Sequence, residues 1–212
     1  MEYKQIDMER YARKAHFEYF SGLAYPYAGA TVQMDITDFL HTGKQKAWPF
    51  FLSVLYEAMQ AANAVPEFRQ RIDGAGIVEY AWCPSSHTVA LEDGTYCYCT
   101  LDARMPREEF FRYAKAAQEK AKKEPNIVDG ADTDSKIFVS CLPWLHYSNL
   151  TQPVPMPADS NPRLTWGKYA EENGRVLLPF TVLVHHALLD GRQIAEFYDI
   201  LARRFENAAR EE

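Results

Sequence analysis

The segment Val176-Leu-Leu-Pro-Phe-Thr-Val-Leu-Val-His185-His186-Ala-Leu-Leu-Asp190-Gly191 changes character twice along its length. Val176–Val184 is a continuous apolar run and reads as a central strand. Two histidines end it. An Asp-Gly turn then opens a helix from Gly191 to about Glu206, in which Ile194, Phe197, Tyr198, Leu201 and Phe205 recur with helical spacing. Titratable groups at the end of a central strand are well placed for chemistry, because the scaffold holds them while the adjoining loop leaves room for a ligand. A neutral imidazole, with an ordinary pKa of roughly 6.5, is available as a base near neutral pH. Plainer roles also fit: a strand-end histidine satisfied within the core, and Asp190 as the cap of the last helix. Zinc usually takes three or four protein ligands. His185, His186 and Asp190 have no further partner at a suitable spacing, so no metal is predicted.

Working outward, Lys136–Leu142 reads as a strand, followed by a loop rich in proline (Pro153, Pro155, Pro157, Pro162). Pro106 to about Lys122 reads as an amphipathic helix with Phe110, Ala114, Ala117 and Ala121 as its apolar stripe. Glu108 and Glu109 near its start and Lys120, Lys122 and Lys123 near its end suit the helix dipole. Short strands are predicted at Gly76–Tyr80, His87–Leu91 and Thr95–Leu101, with Asp93-Gly94 as the turn between the last two. A buried helix should start at Pro49, since FFLSVLYEAMQAANAV is apolar nearly all round. Ala30–Thr37 alternates like a strand, and Asp7–Phe20 suits a helix that brings Arg13, Phe17 and Phe20 near one another. Mixed strands and helices imply an α+β fold, a two-layer α/β sandwich with a mixed β-sheet. With 212 residues and no long linker or repeat, one domain over 1–212 is expected.

The formal net charge is −6 and no basic stripe appears, which argues against nucleic-acid binding. No apolar run reaches the roughly 18 residues of a membrane span. The start, MEYKQIDMERYARK, is charged and lacks a signal-peptide core, so a cytoplasmic location is expected. Cys83, Cys97, Cys99 and Cys141 form no CxxC pair and read as thiols. Cys97 and Cys99 would share one face of a strand, as packing residues or as part of a cavity lining.

HHALLDG resembles the HHxxxDG signature of chloramphenicol acetyltransferases, which occurs more loosely in other acyltransferases and in peptide-synthetase condensation domains. YARKAHFEYF, MDIT, KAWPF, FVSCLPW, TWGKY and LLPFTVLVHHALLDG resemble segments of that family in the same order, over almost the whole chain. The resemblance implies a chloramphenicol acetyltransferase-like fold and a direct transfer of acetyl from acetyl-CoA to a hydroxyl, with no acyl-enzyme. His186 would be the general base. Asp190 would pair with Arg13 and hold the histidine loop, a task that suits the planar fork of arginine. Thr165 would help order water at the tetrahedral intermediate. Lys46, Trp48, Lys168 and Tyr169 would lie at the CoA end, a cation for phosphate and a ring for adenine. No permanently bound cofactor is implied. The family is homotrimeric, with sites shared between subunits and His186 reaching across, and it confers antibiotic resistance.

The chain departs from the family in two places. Where the family has an oxyanion-binding serine five residues after the tryptophan of PW, this chain has Asn149, with Ser148 one before it. Either could donate the hydrogen bond. The acceptor pocket, expected around Phe20, Tyr25, Tyr27, Tyr96 and Tyr98, carries more bulk and more phenols than the family's, Tyr98 standing where a small residue is expected. The resemblance makes chloramphenicol O-acetylation the first expectation, and the reshaped pocket bears on the acceptor rather than on the acetyl transfer. The rivals are the same chemistry on another hydroxyl compound, a catalytically silent homologue that binds a ligand, and a metal-binding protein.

Overall fold

The computed structural model describes residues 1–128, 130 and 132–210. Its strands are β1 (Tyr3–Gln5), β2 (Tyr27–Asp35), β3 (Gln70–Asp73), β4 (Gly76–Tyr80), β5 (Ser85–Ala90), β6 (Tyr96–Leu101), β7 (Ile137–Leu142), β8 (Arg163–Gly167), β9 (Ala170–Glu172) and β10 (Arg175–His185). Its helices are α1 (Lys14–Ser21), α2 (Thr37–Gln45), α3 (Phe50–Ala64), α4 (Arg107–Lys123) and α5 (Gly191–Arg210). The main sheet runs β2-β10-β8-β7-β5-β6, with β9 paired to β10, and β1-β4-β3 form a small second sheet. β7 pairs parallel with both β5 and β8, whereas β10 is antiparallel to β2 and β8. The expected mixed sheet is therefore present, and the fold is mixed α/β.

The long apolar run becomes β10 because it is flanked on both sides, with Thr181 opposite Thr31 on β2 and Thr165 on β8. Side chains alternate between the faces of a strand. On one face Phe180 stacks near Trp166 (5.7 Å between centroids) and packs on Phe197 of α5 (5.8 Å), while Phe51 of α3 covers Trp166 (5.2 Å). Tyr198 of α5 donates to the Phe180 carbonyl at 2.8 Å, which satisfies its buried phenol. This helix-covered face is the core. Thr165 and Thr181 point to the other face, where the loop between β7 and β8 lies over them and the Tyr147 hydroxyl meets the Thr165 carbonyl at 3.1 Å. The buried helix α3 carries one acid, Glu57, which accepts from Arg107 at 2.8 Å and Arg204 at 2.7 Å and so ties α3 to α4 and α5.

Several boundaries differ from the sequence reading. The first helix begins at Lys14, not Asp7, because the Asp7 carboxylate accepts the Glu9 amide at 3.0 Å and folds the preceding residues into turns. The strand expected to reach Thr37 stops at Asp35, whose carboxylate accepts both the amide and the hydroxyl of Thr37 (3.0 and 2.6 Å) and starts α2, an unforeseen helix. Pro49 caps α3 rather than opening it, β5 begins at Ser85, and α5 continues past Glu206 to Arg210. The strands β1, β3, β8 and β9 were not foreseen. β8 matters most, since it carries Thr165. Cys97 and Cys99 are both buried, as packing residues of β6.

Candidate active site

His186 follows β10 directly. Its amide donates to the Pro26 carbonyl at 2.7 Å, which holds the strand end against the segment before β2. Its ring lies against Phe20 of α1, 4.0 Å between centroids. His186 Nδ1 is 2.9 Å from the Leu189 carbonyl. A carbonyl only accepts, so Nδ1 carries the proton and Nε2 keeps its lone pair. The imidazole is thus fixed in the tautomer that a base at Nε2 requires.

The turn behind it is clamped. Arg13 Nη1 donates to Asp190 Oδ2 in a short ion pair, and Arg13 Nη2 approaches the His186 carbonyl at 3.5 Å. Asp190 Oδ1 accepts the Arg192 amide at 2.9 Å, so the same carboxylate caps α5. Burial alone would raise its pKa, but the Arg192 amide and the Arg13 guanidinium outweigh burial and hold the carboxyl below its ordinary value. The pairing and the capping role are therefore both present. His185 points inward, and burial pushes its pKa down to about 4, leaving it neutral.

Thr165 stands elsewhere. It is buried on β8 and lines a cavity of 430 Å³ together with Tyr96, Tyr98, Ser140, Gln152 and others. The Tyr96 and Tyr98 rings are stacked, 6.0 Å apart. His186 is not among the residues lining this cavity. Thr165 is level with Thr181, and His186 lies five residues further along. At ~3.4 Å per residue that is about 17 Å, beyond the reach of an imidazole within one chain.

The cavity shares Thr88, Tyr96, Ser140 and Leu142 with a larger groove of 1120 Å³ that runs between α3 and β6 and is lined by Lys168 and Tyr169. Tyr169 and Trp48 line a smaller pocket beside it, and Lys46 Nζ lies 5.7 Å from the centre of the Trp48 ring. Of the four residues expected at the CoA end, Lys168 and Tyr169 line the groove, and Trp48 with Lys46 stands at the smaller pocket beside it.

Other expected residues have different surroundings. The Tyr27 hydroxyl donates to the Asp159 carboxylate at 3.0 Å, and Asp159 also accepts a bidentate pair from Arg163, both bonds 2.8 Å. Together they anchor the end of the Pro-rich loop. Tyr25 is exposed and packs edge-on against Tyr27 at 5.3 Å. Ser148 and Asn149 are both exposed and neither lines the 430 Å³ cavity. Gln152, which the sequence reading passed over, does line it, and its Oε1 accepts the Thr165 hydroxyl at 2.9 Å. A lone glutamine in a Pro-rich loop carries no signal of such a position. No cluster of three or more metal-binding side chains occurs among the described residues, and none of their helices is long and apolar enough to cross a membrane.

Comparison with known proteins agrees with this architecture. Residues 1–202 match the family model "Chloramphenicol acetyltransferase". The chain is 30% identical over 206 residues to a chloramphenicol acetyltransferase of Klebsiella sp, covering 94% of this chain and 92% of that one. It is 26% identical over 204 residues to chloramphenicol acetyltransferase 3 of Escherichia coli, covering 95% and 96%. A solved chloramphenicol acetyltransferase structure superposes with a TM-score of 0.83 at 23% identity, over 96% of this chain and all (100%) of the other. A probable dihydrolipoamide acetyltransferase from Listeria monocytogenes superposes with a TM-score of 0.70 at 17% identity, over 98% and 95%, a likeness of fold. The chain belongs to the chloramphenicol acetyltransferase family, a family of acetyl-CoA-dependent acyltransferases.

Proposed function

We propose that this chain, a single acyltransferase domain, transfers the acetyl group of acetyl-CoA to a hydroxyl of chloramphenicol, with His186 Nε2 as the general base, and so confers resistance to that antibiotic in the cytoplasm. The observation that carries the reading is the Leu189 carbonyl at 2.9 Å from His186 Nδ1, which leaves Nε2 as the basic nitrogen. The Arg13–Asp190 pair keeps the loop in shape, so the imidazole is held ready before substrate arrives. Nε2 takes the hydroxyl proton as the oxygen attacks the thioester carbonyl, and returns it to the departing CoA thiolate. A positioned base typically contributes ~10²–10⁴-fold in rate.

The cavity beside Thr165 receives the acceptor, and the groove lined by Lys168 and Tyr169 receives the CoA moiety. The distance of about 17 Å along β10 supports a site completed by a second subunit, whose His186 faces the Thr165 cavity of its neighbour. The assembly is a closed homotrimer with three such sites. The stacked Tyr96 and Tyr98 favour a second reading of the acceptor: an alcohol other than chloramphenicol, suited to a cavity walled by phenol rings.

The test is CoA thiol release from acetyl-CoA, with and without chloramphenicol, by the native protein and by His186→Ala. Release that requires chloramphenicol and vanishes in the variant supports base and acceptor together. Release only with other alcohols moves the acceptor to the second reading. Release that persists in His186→Ala removes His186 as the base.

A further inference from the structure

The loop between β7 and β8 is held at both ends. Near its start, the Lys168 amide donates to the Leu145 carbonyl at 2.7 Å, and the Tyr147 phenol bonds to the Thr165 carbonyl. Near its end, Asp159 is gripped by Arg163 and Tyr27. Between these anchors Gln152 turns towards the sheet. Its Oε1 accepts the Thr165 hydroxyl at 2.9 Å, and this bond orients the amide. Its Nε2 is buried and has no hydrogen-bond partner among the described residues. A buried donor without a partner is costly, and in a native protein it calls for an explanation. Here the residue that carries it lines the 430 Å³ cavity, so a ligand acceptor supplies one.

The cavity has another lining residue with an unpaired buried atom, His87. Its ring packs on Phe51 of α3, 5.2 Å between centroids, and its Nε2 meets Gln118 of α4 at 2.9 Å. His87 therefore belongs to the helix-covered core. Arg163 also lines the cavity, but its charge is met by Asp159. Ser148 and Asn149 are outside the cavity and exposed. Gln152 is a side-chain donor that adjoins Thr165.

We infer that the Gln152 carboxamide N–H is the donor that stabilises the oxyanion of acetyl transfer in this protein. The inference rests on the acetyl-transfer reading above. The acceptor hydroxyl loses its proton to His186 Nε2 while its oxygen forms a bond to the thioester carbonyl carbon. The carbonyl π electrons move onto the oxygen, and the Gln152 N–H bonds to that charge. On collapse the C=O bond re-forms, the C–S bond breaks, and the sulfur leaves with its electron pair and takes the proton back from His186. The donor is set in place before the charge develops, because Thr165 fixes the other end of the amide.

Gln152→Glu separates this role from simple support of Thr165. A glutamate still accepts the Thr165 hydroxyl, but it donates nothing and brings negative charge to the oxyanion. Gln152→Met, of similar volume, removes both functions without charge. Both are assayed by CoA thiol release with chloramphenicol and an alcohol panel, beside Ser148→Ala, Asn149→Ala and His186→Ala. Folding is followed by circular dichroism, and KM for acetyl-CoA is measured for each. The expected result is a fall in kcat of about 10²–10³-fold in both Gln152 variants with KM nearly unchanged, and only small effects in Ser148→Ala and Asn149→Ala. Near-native kcat in Gln152→Glu, or the large loss appearing instead in Asn149→Ala or Ser148→Ala, overturns the assignment. Turnover that needs His186 yet survives in Gln152→Glu sinks this inference alone, whereas no turnover by the native protein sinks it together with the acetyl-transfer reading.

Discussion

Replacing Asp190 by alanine removes two interactions that one carboxylate makes. The first is the cap on the Arg192 amide, typically worth about 1 kcal/mol. The second is the ion pair with Arg13, whose side chain is only 17% exposed while that of Asp190 is 35% exposed. Stranding a fully buried partner costs about 3–5 kcal/mol, and the partial exposure of this pair reduces that to about 1–3 kcal/mol. The sum is about 2–4 kcal/mol. In a domain of this size 1 kcal/mol moves Tm by about 2–4 °C, so Asp190→Ala should melt about 5–15 °C below the native protein. Asp190→Asn keeps an oxygen for the Arg192 amide and should lose about 1 kcal/mol less. Arg13→Ala with Asp190→Ala should cost less than the sum of the two single changes, because neither charge is then left alone. Thermal unfolding followed by circular dichroism at neutral pH reads all four variants. A Tm for Asp190→Ala within about 1 °C of native, or strictly additive losses in the double variant, would refute the clamp.

Acid should destabilise the fold before most carboxylates titrate. Burial pushes both His87 and His185 down to about 4, while the unfolded chain has them near 6.5. The unfolded state therefore binds more protons between those values, and stability is full above about pH 6.5 and lost as pH falls towards 4. Each histidine contributes on the order of 3 kcal/mol over that interval; a Tm unchanged from pH 7 to pH 4.5 would contradict this. Gly167→Ala should loosen the loop between β7 and β8, because an added Cβ would sit 2.4 Å from the Leu145 carbonyl oxygen and 2.7 Å from the Tyr147 ring. Losses of about 1–3 kcal/mol and faster proteolysis within residues 143–162 are expected, and a native-like melt with unchanged cleavage would count against this packing.

The parts of the fold that were legible in the sequence are those where local pattern and tertiary role coincide. β10 announces itself as a continuous apolar run because both its faces are buried along most of its length, and α5 keeps its 3.6-residue period because only one face is buried. β8 was missed because its five residues are buried on every position and follow Pro162, so neither alternation nor length marks it. Its identity as a strand comes from pairing with β7 and β10, which no local pattern encodes. α2 was missed because Gly43 and two threonines weaken its propensity, and packing of Phe39 on Phe205 of α5 makes up the difference. In the site, His186, Asp190 and Arg13 were expected from the resemblance to the family, the Arg13–Asp190 pair is present, and Phe20 joins them through its contact with the imidazole. Gln152 was not found, since its position depends on a loop anchored at residues far away in sequence, Tyr27 and Thr165. Tyr27 was expected at the acceptor; its hydroxyl anchors that same loop.

The central claim is that base and acceptor cavity come from different subunits, and subunit mixing tests it most directly. One parent is His186→Ala, which lacks the base. The other is Thr88→Trp, which fills the cavity with an indole. The two are unfolded together, refolded in equal amounts, and assayed for CoA thiol release. Each parent alone should be inactive. With shared sites, each mixed trimer contains one site that joins an intact His186 to an intact cavity, and random assembly recovers about a quarter of native activity. No recovery in demonstrably mixed trimers would contradict a site built across the interface.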